Sequence, residues 1–181
     1  MKRFWKHLCA FAFISGFMGL FGCTPCNGEK GVEIDNSTVN SFNLNRFLGR
    51  WYEIARYDHR FERGMTHVTA DYSLREDGKI SVVNRGIKDG EAKEAIGKAK
   101  QPDPTHFPGK LKVSFFLWFY SDYYVLEVDE DYQYAVVGSS TDKYLWILSR
   151  TPELPYYVVS DLIDRLQKRG YNTEKLVWVE Q

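Results

Sequence analysis

His67-Val68-Thr69-Ala70-Asp71-Tyr72-Ser73-Leu74 is the stretch whose reading decides the architecture. Val68, Ala70, Tyr72 and Leu74 fall on one face, His67, Thr69, Asp71 and Ser73 on the other. That period of two marks an extended strand with two unlike surfaces. Glu76-Asp77-Gly78-Lys79 follows as a hairpin turn, and Ile80, Val82 and Asn84 resume on one face. Working outward, Lys88-Asp89-Gly90 is the next turn, after which Ala95, Gly97 and Ala99 alternate with Glu94, Ile96, Lys98 and Lys100. Leu111, Val113 and Phe115 alternate with Lys110, Lys112 and Ser114. Strands over about 123–128 and 132–139 flank Asp129-Glu130-Asp131, and another runs from Tyr144 to Ser149. With the strand that starts at Trp51, these make eight.

A single helix interrupts the pattern late. Val158, Val159, Leu162, Ile163 and Leu166 recur at helical spacing, Pro152 and Pro155 precede them and Gly170 supplies the stop. A short strand over Leu176 to Val179 closes the chain. A sandwich of eight strands would need Greek-key crossovers, whereas the links here are short and sequential. The expected fold class is therefore all-β, an eight-stranded antiparallel up-and-down β-barrel with one C-terminal α-helix. Lys110 and Lys112 would face lipid in a membrane barrel, which excludes that variant.

Composition bounds the function classes. The chain has 181 residues, 44% hydrophobic and 16% aromatic, with 24 basic and 24 acidic side chains. High aromatic content and zero net charge exclude disorder, and no cationic excess is present to hold nucleic acid. Cys9, Cys23 and Cys26 all lie in the first 26 residues, so no disulfide can staple the body.

The first 22 residues read as an address. Lys2, Arg3 and Lys6 precede an uncharged run from Leu8 to Phe21, short for a membrane span of about 20 apolar residues. Leu20-Phe21-Gly22-Cys23 resembles the bacterial lipobox, which implies lipidation of Cys23 and removal of residues 1–22. Thr24 after the cysteine, by the same resemblance, implies sorting to the outer membrane. The remaining chain carries 21 basic and 24 acidic groups, so the acyl chains rather than charge would hold the protein at the membrane. Residues 23–41 are polar and glycine-containing and are expected to be a flexible lipidated tether, with 42–181 as the folded domain. Cys23-Thr24-Pro25-Cys26 also fits the C-x-x-C spacing, but it stands outside any βαβ context.

Three motifs in order then point to a family. Gly49-Arg50-Trp51-Tyr52-Glu53-Ile54-Ala55-Arg56 resembles the G-x-W signature of lipocalins. Tyr57-Asp58-His59-Arg60-Phe61-Glu62-Arg63-Gly64 resembles the bacterial outer-membrane branch related to apolipoprotein D. Val128-Asp129 with Tyr132 and Ala135, and Tyr144 through Pro152, are similar to that branch's later motifs. The resemblance implies a short closing helix at about Asn43 to Leu48. It also implies an arginine, Arg150, stacked across Trp51 as structural barrel closure. In an eight-strand meander, Trp51, Asp129–Asp131 and Arg150 share one end, and loops near 60–66, 89–93, 117–122 and 140–143 form the mouth.

Alternation leaves open whether the barrel interior is packed or hollow; the family resemblance implies a cavity. Ala55, Ala70, Ala95, Gly97 and Ala99 have inward parity, and Tyr57, Val68, Tyr72, Val82, Phe115, Tyr123, Val125 and Trp146 would line the walls. Glu53, Asn84 and Glu127 are polar positions of inward parity, and a buried carboxylate needs a partner or a proton. Two internal acids disfavour a deep anionic headgroup, so a headgroup belongs near the mouth and a tail inside. Arg56 and Arg85 have outward parity and are expected in solvent. Leu117-Trp118-Phe119-Tyr120 places four large apolar residues at a hairpin tip, where they fold back on the barrel, guide an acyl chain or meet a membrane. Trp118 accordingly joins the candidate ligand-binding set.

The resemblance implies fatty acids or lysophospholipids as ligands, without turnover and without a cofactor. The alternative is an interaction protein that docks a partner or membrane through 117–120, with a homodimer also open. Catalysis finds little support. Lipocalin-type prostaglandin synthases use a cavity cysteine, and none exists beyond Cys26. There is no G-x-S-x-G elbow, and Ser140-Thr141-Asp142-Lys143 reads as a polar hairpin tip. His59, His67 and His106 lack metal-site spacing.

Overall fold

The computed structural model describes residues 33–181. The expected signal peptide and Cys23 lie outside the described residues. A one-turn helix α1 (Leu44–Phe47) leads into eight strands. These are β1 (Gly49–Tyr57), β2 (Thr66–Leu74), β3 (Ile80–Lys88), β4 (Glu91–Lys100), β5 (Lys110–Phe116), β6 (Phe119–Val128), β7 (Tyr134–Gly138) and β8 (Leu145–Ser149). Helix α2 (Tyr156–Lys168) and strand β9 (Leu176–Trp178) follow. Consecutive strands pair antiparallel and β8 returns to β1 with Tyr52 opposite Ser149, which closes the barrel. Strand β6 starts four residues before the alternation suggested, because Phe119–Ser121 continue the ladder opposite Phe116 and Val113.

Closure has a ninth participant. β2 pairs only with the first half of β1, from Gly49 to Tyr52. In the second half, Ala55–Tyr57 pair instead with β9. The chain then runs on between the two strands. Val179 N–H donates to Ile54 O at 3.0 Å and His67 N–H to Glu180 O at 2.6 Å. The Gln181 side-chain amide donates to the carbonyls of both Glu53 and Val68. The C-terminal segment thus supplies ladder partners that a splayed β1–β2 seam would lack.

Two apolar clusters sandwich the barrel wall. Trp51, Tyr72, Val82, Ala99, Leu111, Val125 and Val137 pack inside. Ile54, Leu126, Val136 and Ile147 face outward and are covered by Leu162 and Leu166 of α2. Those two leucines are fully buried and four residues apart, one turn along a single helix face. Each contributes roughly 1.5–3 kcal/mol by burial. Gly170, at φ +83, ends the helix in the left-handed region.

Two β-bulges beneath α2 correct the parity read from sequence. The register between β1 and β8 shifts between Glu53 and Ala55. A bulge inserts one unpaired residue, so the alternation slips by one beyond it. Ala55 and Tyr57, expected to line the cavity, therefore pack in the outer cluster under α2. Arg56, expected in solvent, turns inward and is 2% exposed. A second shift lies between Val125 and Glu127 on β6. Glu127, expected inside, instead meets Arg165 of α2 at 2.8 Å and Arg169 at 3.6 Å.

The second half of the expected tether is laid against the barrel. Asp35 N–H donates to Arg169 O at 2.8 Å, and Val39 N–H to Val125 O at 3.0 Å. Ile34 and Val39 pack on the outer and inner clusters respectively. These contacts offset the entropy of ordering a polar segment.

Candidate ligand cavity

The closed end is built from α1 and the motif residues. Asn43 Oδ1 caps α1 by accepting from Arg46 N–H. Trp51 Nε1 donates to Phe47 O at 2.7 Å, and the Arg150 guanidinium carbon lies 3.8 Å from the Trp51 ring centroid. Arg150 also donates to four carbonyls, those of Arg46, Leu48, Arg50 and Tyr132. One planar fork thereby ties α1, the start of β1 and the β6–β7 turn together, beyond its stacking energy of about 0.5–2 kcal/mol. Burial lowers the Arg150 pKa from its ordinary value.

Above this floor runs a narrow shaft of about 80 Å³. Its apolar wall comes from Ala70, Tyr72 and Val82 on β2–β3, Val113 and Phe115 on β5, Tyr123 on β6, and Val137, Trp146 and Leu148 on β7–β8. The Tyr72 and Tyr123 hydroxyls share a 2.8 Å hydrogen bond, which spans the shaft. Burial raises the pKa of both phenols, so both stay protonated. The Phe115 ring lies over Gly97; a Cβ there would stand 2.7 Å from it. That volume is well below the roughly 300–1,000 Å³ of a small-molecule site. Loading a chain-like ligand requires these aromatic side chains to swing.

Polar groups gather on the mouth side. Arg56 Nη1 donates to Glu53 Oε1 at 2.6 Å, and Nη2 to the Glu62 carbonyl at 2.6 Å. Glu62 comes from the β1–β2 loop, which folds back into the rim. Its Oε2 accepts from Trp146 Nε1 at 3.2 Å and lies 2.8 Å from His59 Nε2. Burial, reinforced by the Glu62 charge, pushes the Glu53 carboxyl up to about 8 against the pull of Arg56. Burial also opposes ionisation of Glu62. The His59 hydrogen bond and charge, the Trp146 N–H and the Arg56 charge outweigh it and hold that carboxyl below its ordinary value. At neutral pH Glu53 keeps its proton, and ionised Glu62 has His59 and the Arg56 charge beside it, the compensation that a dry interior requires. Asn84 Oδ1, Arg56 Nε and His59 Nδ1 are buried without a protein partner. Of these residues only Asn84 lines the shaft, where its Oδ1 can meet a polar ligand atom.

Of the sequence-derived ligand set, the structure gathers Ala70, Tyr72, Val82, Asn84, Phe115, Tyr123 and Trp146 around this shaft. Val68 is buried beside Gly86, and Val125 belongs to the packed inner cluster below, so neither lines it. Ala55 and Tyr57 lie outside the barrel, as described. Trp118 is 72% exposed at the β5–β6 tip, away from the cavity. Val113, Val137 and Leu148 had the alternation to reveal them; Glu62, in a loop, had no periodic signal at all.

Among the described residues, no group of His, Cys, Asp and Glu is arranged to hold a metal ion. His67 is exposed, and His106 pairs with Asp103 in the β4–β5 loop. Arg85 is exposed and bridges Asp71 and Glu94 across β2–β4.

The fold and shaft define a small closed barrel with a largely apolar interior. A lipocalin-like domain signature matches residues 42–181, and the chain belongs to that family. It is 47% identical over 158 residues to the outer membrane lipoprotein Blc of Vibrio cholerae, covering 86% of this chain and 92% of that protein. It is 43% identical over 162 residues to Blc of Escherichia coli K12, covering 88% of each. Mouse apolipoprotein D is 37% identical over 181 residues, with 93% of each chain covered. The solved structure of insecticyanin from the tobacco hornworm superposes with a TM-score of 0.66 at 24% identity, over 80% of this chain and 84% of that one. That likeness speaks to the barrel alone.

Proposed function

We propose that this lipocalin is anchored through lipidated Cys23 in the outer membrane, facing the periplasm, and binds fatty acids or lysophospholipids there for storage or transport, without turnover. The observation that carries the reading is the apolar shaft with a buried, unpartnered polar atom, Asn84 Oδ1, in its wall. An acyl tail matches the walls, and a headgroup that carries a hydrogen-bond donor matches Asn84 Oδ1. Support for the location comes from the relatives named outer membrane lipoproteins. Glu53 and Glu62 line the shaft, so an ionised carboxylate beside them is disfavoured and the charged part of a headgroup belongs outside, at the rim.

Titration of intrinsic fluorescence tests this, because Trp146 sits in the wall and is held by Glu62. Adding palmitate or a lysophospholipid should shift its emission saturably at one ligand per barrel. An unchanged spectrum with both ligands would remove the carrier reading. The second reading, an interaction module acting through 117–120, would then lead, supported by the exposure of Leu117, Trp118 and Phe119.

A further inference from the structure

We infer that the β5–β6 tip is a membrane-docking element that sets the open rim of the barrel on an anionic phospholipid surface. The inference rests on the outer-membrane reading and goes beyond it by giving the barrel an orientation. Phe116, Leu117, Trp118 and Phe119 are 67%, 54%, 72% and 63% exposed, and Ile96 on β4 is equally open. Phe116 stacks on Phe119 at 6.4 Å and Phe119 on Trp118 at 5.9 Å, so the rings form a preassembled slab facing water. Leu117 holds φ +50 in the turn, a region that normally selects Gly or Asn. Among the described residues, the side chain retained at that cost stays 54% exposed.

Charge selects the occupant. Lys98 and Lys100 Nζ lie 5.9 and 4.5 Å from the Tyr120 ring, and neither pairs with a carboxylate among the described residues. Tyr120 is two residues behind Trp118, about 7 Å at strand rise. A tip buried roughly 5–10 Å therefore carries both cations to the phosphate level, with Tyr120 at the interface that tyrosines favour. A second copy seated on the same patch would instead bring like charges together.

The attachment point agrees. The described residues begin at Glu33, and Asp35 is bonded to Arg169. Two residues on, Tyr171 approaches Gly138 and Asn172 O accepts from Tyr57. Gly138 and Tyr57 end β7 and β1 at the mouth. Ten residues from Cys23 to Glu33 can span roughly 35 Å. A linker of that reach lets the rim rest on the bilayer, so that a lipid can pass into the shaft without crossing water.

The test reconstitutes the full-length lipidated protein into vesicles of equal parts phosphatidylglycerol and acyl-brominated phosphatidylcholine. The spectral difference between wild type and Trp118→Phe isolates Trp118 emission. Bromine should abolish most of that difference. Lys98→Glu with Lys100→Glu should restore most of it, the docking equilibrium constant falling at least about 25-fold, at about fivefold for each positive charge lost. Both lysine positions are on the outer wall, and unchanged thermal melting would show that the variant folds. Sedimentation with vesicles but unquenched Trp118 overturns the docking and leaves the anchor standing. Failure to sediment overturns both. A concentration-dependent dimer with Trp118 buried but unquenched assigns the patch to a second copy and also overturns the inference.

Discussion

Replacing Arg56 by Met removes the cation from the buried cluster at the mouth while keeping most of the side chain's volume. Arg56 is 2% exposed, and it contacts the Glu53 carboxylate and the Glu62 carbonyl at 2.6 Å each. Its loss removes the cation that offsets both acids, leaving Glu53 without its ion-pair partner and Glu62 with only His59 and the Trp146 N–H. Breaking a buried pair by deleting one partner costs about 3–5 kcal/mol. Glu53 and Glu62 must then share protons, so the penalty depends on pH. A raised carboxyl pKa means that the folded state binds protons the unfolded state has released. Stability from such a group is complete below the unfolded value near 4.5 and is lost as pH rises through the folded value. For Glu53 that upper limit is about 8 in the wild type. Urea unfolding at pH 5, 7 and 8.5 should therefore show Arg56→Met weakest at pH 8.5. Adding Glu53→Gln, which mimics the protonated acid, should recover part of the loss. A penalty that is equal at all three pH values, or absent, would refute the buried-cluster reasoning.

Arg150→Ala should cost about 2–4 kcal/mol, since it removes a stacking contact and leaves four carbonyls short of a donor. Thermal melting should fall by several degrees, and Arg150→Lys should rescue only partly because an ammonium cannot reproduce the fork. Gly97→Ala places a Cβ 2.7 Å from the Phe115 ring and 2.8 Å from Ser114 O. It should destabilise by about 1–3 kcal/mol in chemical denaturation through overpacking. Trp118→Ser, at an exposed site, should leave unfolding free energy within about 0.5 kcal/mol of wild type in the same assay.

The barrel was legible because each wall has one apolar and one polar face. Val68 through Leu74 and Leu111 through Phe115 state their orientation residue by residue. The spacing of Leu162 and Leu166 likewise announced the helix and its buried side. A bulge leaves no such trace. Ile54 and Ala55 are both apolar, and so are Val125 and Leu126, so the pattern reads the same with or without an inserted residue. Beyond those slips, Ala55, Arg56, Tyr57 and Glu127 lie on the opposite side of the wall from the one that simple alternation predicts. What decides the matter is α2, whose outer cluster draws two consecutive apolar residues toward it. Glu62 was hidden for another reason. Its position depends on a loop folding back to meet Trp146, 84 residues away in the chain, and loops carry no period to read. Glu53 was legible as inward, but its partner Arg56 was not.

Native mass spectrometry of the full-length protein, gently extracted from its own membrane, tests the carrier account most directly when paired with Ala70→Trp. Ala70 lines the shaft, and an indole there would fill a space of about 80 Å³. The wild type should carry one lipid per barrel, and the folded Ala70→Trp protein none. Equal lipid on both proteins, or none on either, would contradict a guest held inside the barrel.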